Sequence, residues 1–270
     1  MTRRINRTAL ITGASGGLGF EFAKLLASEC SKIVLVARNE ARLKAITLKL
    51  ESICRAPITA IVKDLARPGA ADEILADLNQ RNISVDILIN SAGFGGFGAF
   101  IEREWHDESA MIAVNITALT QMTKLFVKGM VERKSGRILN IASTAAFQPG
   151  PLQAVYYASK AYVLSLSEAL ASELKGTGVT VTALCPGPTA TGFANAAGLE
   201  RSRLFTHIKP ATAQEVARYG YDAMMGGKTV AVPGVLNKLG VFGTRLGPRT
   251  LSAAIVRWLY EPADGASSRG

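Results

Sequence analysis

The chain has 270 residues, 48% hydrophobic and 19% charged, which excludes a disordered or fibrous protein and leaves enough length for a large core in one or two domains. Its net charge of +10 sits at the ends: Arg3, Arg4 and Arg7 precede the first strand, and from Lys228 onward six basic residues face two acidic ones. Basic ends around a nearly neutral body argue against a nucleic-acid groove and suit solvated termini, anionic small molecules or a membrane surface.

Short apolar runs alternate with helical patterns along the whole chain. "TALIT" (8–12), "KIVLVA" (32–37), "ITAIVKD" (58–64), "VDILIN" (85–90), "RILNIAS" (137–143), "VTVTALC" (179–185) and "TVAVP" (229–233) read as strands, β-branched and apolar on both faces as buried parallel strands are. Segments long enough for crossover helices separate them, among them "GLGFEFAKLLASE" and "AVYYASKAYVLSLSEALASEL". In the second, Tyr162, Leu166, Ala169 and Leu170 follow the spacing of a core-facing stripe, which predicts Tyr162 in the core. Repeated βαβ units predict an α/β fold: one doubly wound parallel sheet of about seven strands, covered by helices on both sides, over residues 1–233. Residues 186–211 are too long for a routine connection, so 188–208 are expected to form a lid. The basic tail, 234–270, contains one amphipathic segment, "TLSAAIVRWLY".

Cys30, Cys54 and Cys185 are widely spaced with no CxxC, and only His106 and His207 accompany them, so no zinc framework is expected and a reducing, cytoplasmic setting is. The apolar stretch after the N-terminal arginines is too short for a signal segment, and no run approaches the roughly 18 apolar residues of a membrane span.

The first strand runs into "TGASGGLG", where Gly13, Gly17 and Gly19 allow a tight turn and close approach of a pyrophosphate, with the helix beginning near Leu18 and its N–H groups aimed at the anion. The TGxxxGxG spacing resembles the short-chain dehydrogenase/reductase family. The resemblance extends through "NSAG" (90–93), Asn115 in "VNIT", Ser143 in "NIAS", Tyr156 and Lys160 in YxxxK, and "PGPTAT" (186–191), all in the family's order. At the end of the second strand, Ala37 stands where an NAD-preferring fold places an acid, and Arg38 follows it. A guanidinium suits a 2′-phosphate, so NADP(H) is the expected cofactor, with the Ser15 hydroxyl available to a phosphate. The resemblance further implies that Asp64 and Leu65 flank the adenine, and that Asn90, Ala92 and Gly93 line the adenosine half. It also implies that Pro186 and Gly187 pack near the nicotinamide, with the Thr189 backbone and the Thr191 hydroxyl at its carboxamide.

Tyr156 and Lys160 share a helix face at i, i+4, while Tyr157 is an i+3 neighbour that spacing alone leaves possible. The family pattern selects Tyr156. A phenol of pKa about 10 is a poor acid or base at neutral pH, so lowering by Lys160 and an oxidised nicotinamide is expected. By resemblance, Tyr156 gives a proton to a carbonyl oxygen, Ser143 orients that oxygen, Lys160 also holds the nicotinamide ribose, and Asn115 holds a water linking the lysine to solvent. Phe94, Phe97, Phe147, Phe193 and Leu199 fall on loops at the carboxyl ends of the strands and suggest a lipophilic carbonyl or alcohol substrate. An NADPH-dependent carbonyl reductase, working as a homodimer or homotetramer, is the reading that follows. Its rivals are a non-catalytic dinucleotide sensor and a membrane-surface or scaffolding protein. The last rests on Leu251, Ile255, Trp258 and Leu259, a stripe that more often marks a docked terminal helix or subunit contact.

Overall fold

The first strand, β1 (Ile5–Thr12), sends Ala9 and Ile11 to one side of the sheet and Leu10 to the other, and all three are fully buried. The next strand, β2 (Cys30–Ala37), repeats this, with Ile33 and Leu35 on the first side and Val34 and Val36 on the second. A strand apolar on both faces needs cover on both faces. The computed structural model describes residues 5–54, 56–199, 202–204 and 209–261, and it supplies that cover.

One layer contains α1 (Gly17–Ala27), α2 (Glu40–Glu51) and α8 (Ala213–Met225), which bring Phe22, Leu26, Leu43 and Met224 onto the first face. The other contains α3 (Ala70–Gln80), α5 (Leu119–Glu132) and α6 (Ala154–Glu173), with Ile74, Leu78, Met122 and Phe126 on the second. Each fully buried side chain of this size contributes roughly 1.5–3 kcal/mol of transfer free energy. Between the two layers, β3 (Ile58–Val62), β4 (Ile87–Asn90), β5 (Gly136–Ile141), β6 (Val179–Leu184) and β9 (Val230–Ala231) complete a seven-stranded parallel sheet of order β3-β2-β1-β4-β5-β6-β9. The expected fold class and all seven expected strands are present. The order reverses between β1 and β4, which opens a crevice at the carboxyl ends of those strands.

A small second sheet pairs β7 (Thr189–Ala190) with β8 (Ala211–Thr212), so the segment expected to be a lid leaves and re-enters the body side by side. Between them lies α7 (Phe193–Ala196); residues 200, 201 and 205–208 of that segment, including His207, lie outside the described residues, as do Arg3, Arg4 and the end of the tail beyond 261. The described part of the tail forms α9 (Val235–Gly243) and α10 (Arg249–Tyr260). A further helix, α4 (Trp105–Ile112), runs through a π turn at Ala113–Ala118 into α5. The continuous helix Trp105–Glu132 is long and apolar enough on average to cross a membrane, a property the sequence reading missed because Asn115, Thr117, Thr120 and Gln121 interrupt its apolar run. Its α5 portion packs on β4, β5 and α3, as the core helix of a sheet protein does.

The buried side of α6 corrects the sequence reading. Tyr162 is exposed and its hydroxyl lies 3.0 Å from that of Thr120, whereas Tyr156, Ser159, Lys160, Val163 and Ser167 face inward. Hydrophobic periodicity picked the wrong face because the inward one carries two serines and a lysine. Those polar groups have partners: Ser159 Oγ donates to the Tyr156 carbonyl, Ser167 Oγ to the Val163 carbonyl, and Lys160 Nζ to the Ile141 carbonyl.

Candidate active site

The turn after β1 is shaped by what its glycines lack. Gly13 has φ +67°, and a Cβ there would stand 2.8 Å from the backbone nitrogen of Ala92. Gly19 is buried under the turn, where a Cβ would meet the Gly13 carbonyl oxygen at 2.4 Å. Gly16 caps α1 with no side-chain hydrogen bond, and α1 has no acid in its first turn. The N–H groups of that first turn therefore face the crevice without side-chain partners, which is the chemistry a pyrophosphate requires. Thr12, which the sequence reading passed over, fastens the opposite wall: its hydroxyl accepts from the Ser91 and Ala92 N–H groups at 3.1 Å each.

From this turn a cleft of about 540 Å³ runs in two directions. Toward β2 and β3 it is lined by Ser15, Ala37, Arg38, Asp64 and Leu65, together with Arg42 and Lys63, which sequence reasoning did not single out. Arg38 directly precedes α2, whose N-cap Asn39 accepts from the Arg42 N–H at 2.9 Å, and it stands exposed. Lys63 pairs with Glu73 and Asp64 accepts from the Ala66 N–H, so both are partly committed. In the other direction lie Leu18, Ala92, Gly93, Ser143, Tyr156, Lys160, Pro186, Gly187, Thr189 and Thr191. The Thr191 hydroxyl accepts from the Phe193 N–H at 3.2 Å, and its side chain would touch a Cβ on Gly17.

Three expected site residues do not line the cleft. Gly19 lies beneath the turn. Asn90 is buried behind it, donating to Thr123 and Asn140 at 3.0 and 2.9 Å, and Asn140 in turn donates to Ser167, which ties α5, β4, β5 and α6 together. Asn115 is also buried: its Nδ2 donates to the Phe94 carbonyl and to Ser159 Oγ, and its Oδ1 accepts from the Phe94 N–H. Its side chain therefore positions the Phe94 loop and the start of α6, and the π turn around it makes room for that grip.

At the far end, Tyr156 lies between Lys160, whose Nζ is 5.7 Å from the ring centroid, and Phe193, whose ring is 5.2 Å away. Burial pushes the Tyr156 phenol well above its ordinary range; a hydrogen bond with Ser143 opposes that and Tyr260 adds to it. The expected lowering of the phenol is thus not found in the protein by itself. Burial brings Lys160 down to about 8, with Cys185 acting the other way. Ser143 Oγ also accepts from the Ala145 N–H at 3.1 Å.

The remaining wall is aromatic and aliphatic. Phe94, Phe193 and Leu199 line it as expected, and Leu204, Leu259, Tyr260 and Gln148 join them. Phe147 does not; it packs with the cluster that contains Leu164 and Cys185. Phe97 stands behind the wall, 6.2 Å from the Tyr260 ring. Tyr157 donates to the Tyr260 hydroxyl at 3.0 Å, and their rings meet edge to face. No pattern in the sequence joins these two, 103 residues apart.

Residues 7–202 match the family model described as short chain dehydrogenase. The chain belongs to the short-chain dehydrogenases. Its known relatives include ketoacyl reductase HetN from a Nostoc species, 34% identical over 187 residues, 69% of this chain and 65% of that protein. This short-chain dehydrogenase also superposes on solved structures. One is a short-chain dehydrogenase from Sphingobium yanoikuyae in complex with NADPH (TM-score 0.79, 29% identity, 98% of this chain and 100% of that one). Another is a bulky-bulky ketone specific alcohol dehydrogenase from Comamonas testosteroni (TM-score 0.75, 28% identity, 91% of this chain and 94% of that one).

Proposed function

We propose that this oxidoreductase is an NADPH-dependent reductase of lipophilic carbonyl compounds, catalysing the reverse alcohol oxidation under the opposite mass action. The observation that carries the reading is a single cleft with Arg38 at one end, no acid at the end of β2, and Ser143, Tyr156 and Lys160 at the other. The α1 N-terminus would hold the pyrophosphate, Arg38 and Arg42 the 2′-phosphate, and Lys160 the nicotinamide ribose. When bound, the cofactor supplies hydride to the carbonyl carbon.

The chain's own groups supply the rest. A phenol held above its ordinary range stays protonated at neutral pH, the form in which Tyr156 donates its proton to a carbonyl oxygen. The Ser143 hydroxyl, on the same stretch of the cleft as that phenol, would hold the same oxygen in line. Lys160, as ammonium, offsets negative charge that collects on the phenol when its proton leaves. Asn115 keeps Phe94 over the site from behind. The wall of Phe94, Phe193, Leu199, Leu204, Leu259 and Tyr260 favours substrates with an apolar body. Leu259 and Tyr260 belong to α10, which supports a catalytic unit that extends past residue 233 into that helix. Three free cysteines suit a reducing, cytoplasmic setting.

The test is NADPH oxidation across a panel of ketones, aldehydes and acyl thioesters, repeated with NADH and with Arg38→Ala. Turnover of apolar carbonyls with NADPH is expected, together with at least about a tenfold loss of NADPH affinity in Arg38→Ala against little change for NADH. Equal losses for both cofactors, or a preference for NADH, overturn the cofactor assignment. Silence across the panel with intact NADPH binding overturns the reductase.

A further inference from the structure

The helix α9 is rich in apolar side chains yet buries none of its nine residues. Val235, Leu239 and Phe242 recur at i, i+4 and i+7, Leu236 beside them is 82% exposed, and Leu246 in the turn that follows is exposed as well. The next helix, α10, divides its faces differently. Val256 and Tyr260 are buried against the body, while Leu251, Ile255 and Trp258 form an exposed row of the same spacing. Single exposed apolar residues are ordinary, but two rows within one stretch of chain need a cover.

Charge decides which cover. Lys238, Arg245, Arg249 and Arg257 lie among these rows, and the acid among the described residues from 234 onward, Glu261, is already paired with Arg203 at 3.1 Å. A second copy seated on this surface about a two-fold axis would bring cations against cations. An anionic bilayer answers both features at once: its headgroups meet the lysine and arginines, and its interface takes up leucine, phenylalanine and tryptophan. The cleft adds a reason. Leu259 and Tyr260 line it from the inner side of the helix that exposes Leu251, Ile255 and Trp258.

We propose that residues 235–258 rest on an anionic phospholipid surface, holding the mouth of the cleft where lipophilic carbonyl compounds partition. The use of the surface rests on the reductase reading, but the attachment does not. It is therefore tested without substrate, by flotation of the full chain with vesicles of phosphatidylcholine, with and without phosphatidylglycerol. The protein should float with the anionic vesicles, far less with the neutral ones, and less as salt is raised. Leu239→Glu with Phe242→Glu should reduce partitioning at least about tenfold, since it removes apolar contact and adds like charge to the lipid. Arg245→Glu with Arg249→Glu leaves the apolar rows intact and should do the same, so a folding defect in one pair does not decide the matter. Failure of the wild-type chain to float with anionic vesicles overturns the proposal, as does undiminished flotation of both paired variants. Sedimentation showing that wild type is an oligomer that Leu239→Glu with Phe242→Glu dissociates overturns it in favour of a second copy.

Discussion

The two halves of the cleft are built from different materials. The half that starts at the turn after β1 is built around backbone, with side chains such as Arg38 and Arg42 only at its β2 rim: a turn with Gly13 at φ +67°, an α1 N-terminus without a side-chain cap, and the Ser91 and Ala92 N–H groups fixed by Thr12. The half beyond Ser143 is mostly side chain, with Tyr156, Tyr157, Phe193 and Tyr260 in successive ring contacts that draw on α6, α7 and α10. A backbone site is spoiled by adding atoms, whereas a side-chain site is spoiled by removing them. Substitutions that add one methyl or remove one hydroxyl therefore separate the halves.

The largest effect is expected from Tyr156→Phe. Loss of the proton donor should lower turnover by at least about two orders of magnitude with NADPH affinity within a factor of about two, because the hydroxyl acts in the transition state. Tyr157→Phe removes only a bond to Tyr260 and should retain most of the turnover. Steady-state kinetics beside calorimetric titration check both; the reverse pattern would move the donor role to Tyr157. In the backbone half, Gly13→Ala adds a carbon 2.8 Å from the Ala92 nitrogen at a left-handed position that itself costs roughly 1–2 kcal/mol. NADPH affinity should drop at least about tenfold with a lower melting temperature. Wild-type affinity in that variant would mean that the turn does not cradle the cofactor.

The same division explains what could be read from the chain beforehand. The nucleotide half depends on glycines and strand ends close together in sequence, so TGxxxGxG, "VARNE" and "NSAG" mark it directly. The sheet was equally readable, because strands buried on both faces leave uninterrupted apolar runs. Tyr162 was misplaced because hydrophobic spacing assumes the apolar side of a helix is the buried one, and α6 buries Ser159, Lys160 and Ser167 instead. The resemblance implies that Asn115 holds a water; that its side chain also grips Phe94 and Ser159 is visible only once the π turn is in place. Tyr260 carried no signal, since its partner Tyr157 lies 103 residues away and the tail has no motif.

That tail residue supplies the third comparison. Tyr260→Leu keeps an apolar side chain of moderate size but removes the hydroxyl partner of Tyr157 and the edge-to-face contact. The expected result is a several-fold rise in KM for bulky carbonyl substrates with turnover changed less than about threefold, since each lost aromatic pair is worth roughly 0.5–1.5 kcal/mol. A fall in turnover comparable with that of Tyr156→Phe would place Tyr260 in the chemistry and not in the wall.

The smallest expected effect is a shift in stability, at Lys160, where function and stability pull apart. Burial brings its pKa from the ordinary 10.5 to about 8, so between those values the folded protein holds a neutral amine while the unfolded chain holds an ammonium. Unfolding then takes up a proton, and this residue's contribution to stability improves as pH rises from about 8 toward 10.5. Below pH 8 the buried ammonium is present, and its desolvation is a standing cost. Lys160→Met, of similar length and without charge, should therefore melt a few degrees above wild type at pH 7, the shift expected in a chain of this size for about 1 kcal/mol. The gap should narrow by pH 9.5. Turnover at pH 7 should be largely lost in the same variant, and wild-type kcat/KM for reduction should decline as the ammonium deprotonates above about pH 8. Thermal melts of both proteins at the two pH values provide the check. A variant less stable than wild type at pH 7 would show that the Lys160 bond to the Ile141 carbonyl outweighs the cost of burying the charge.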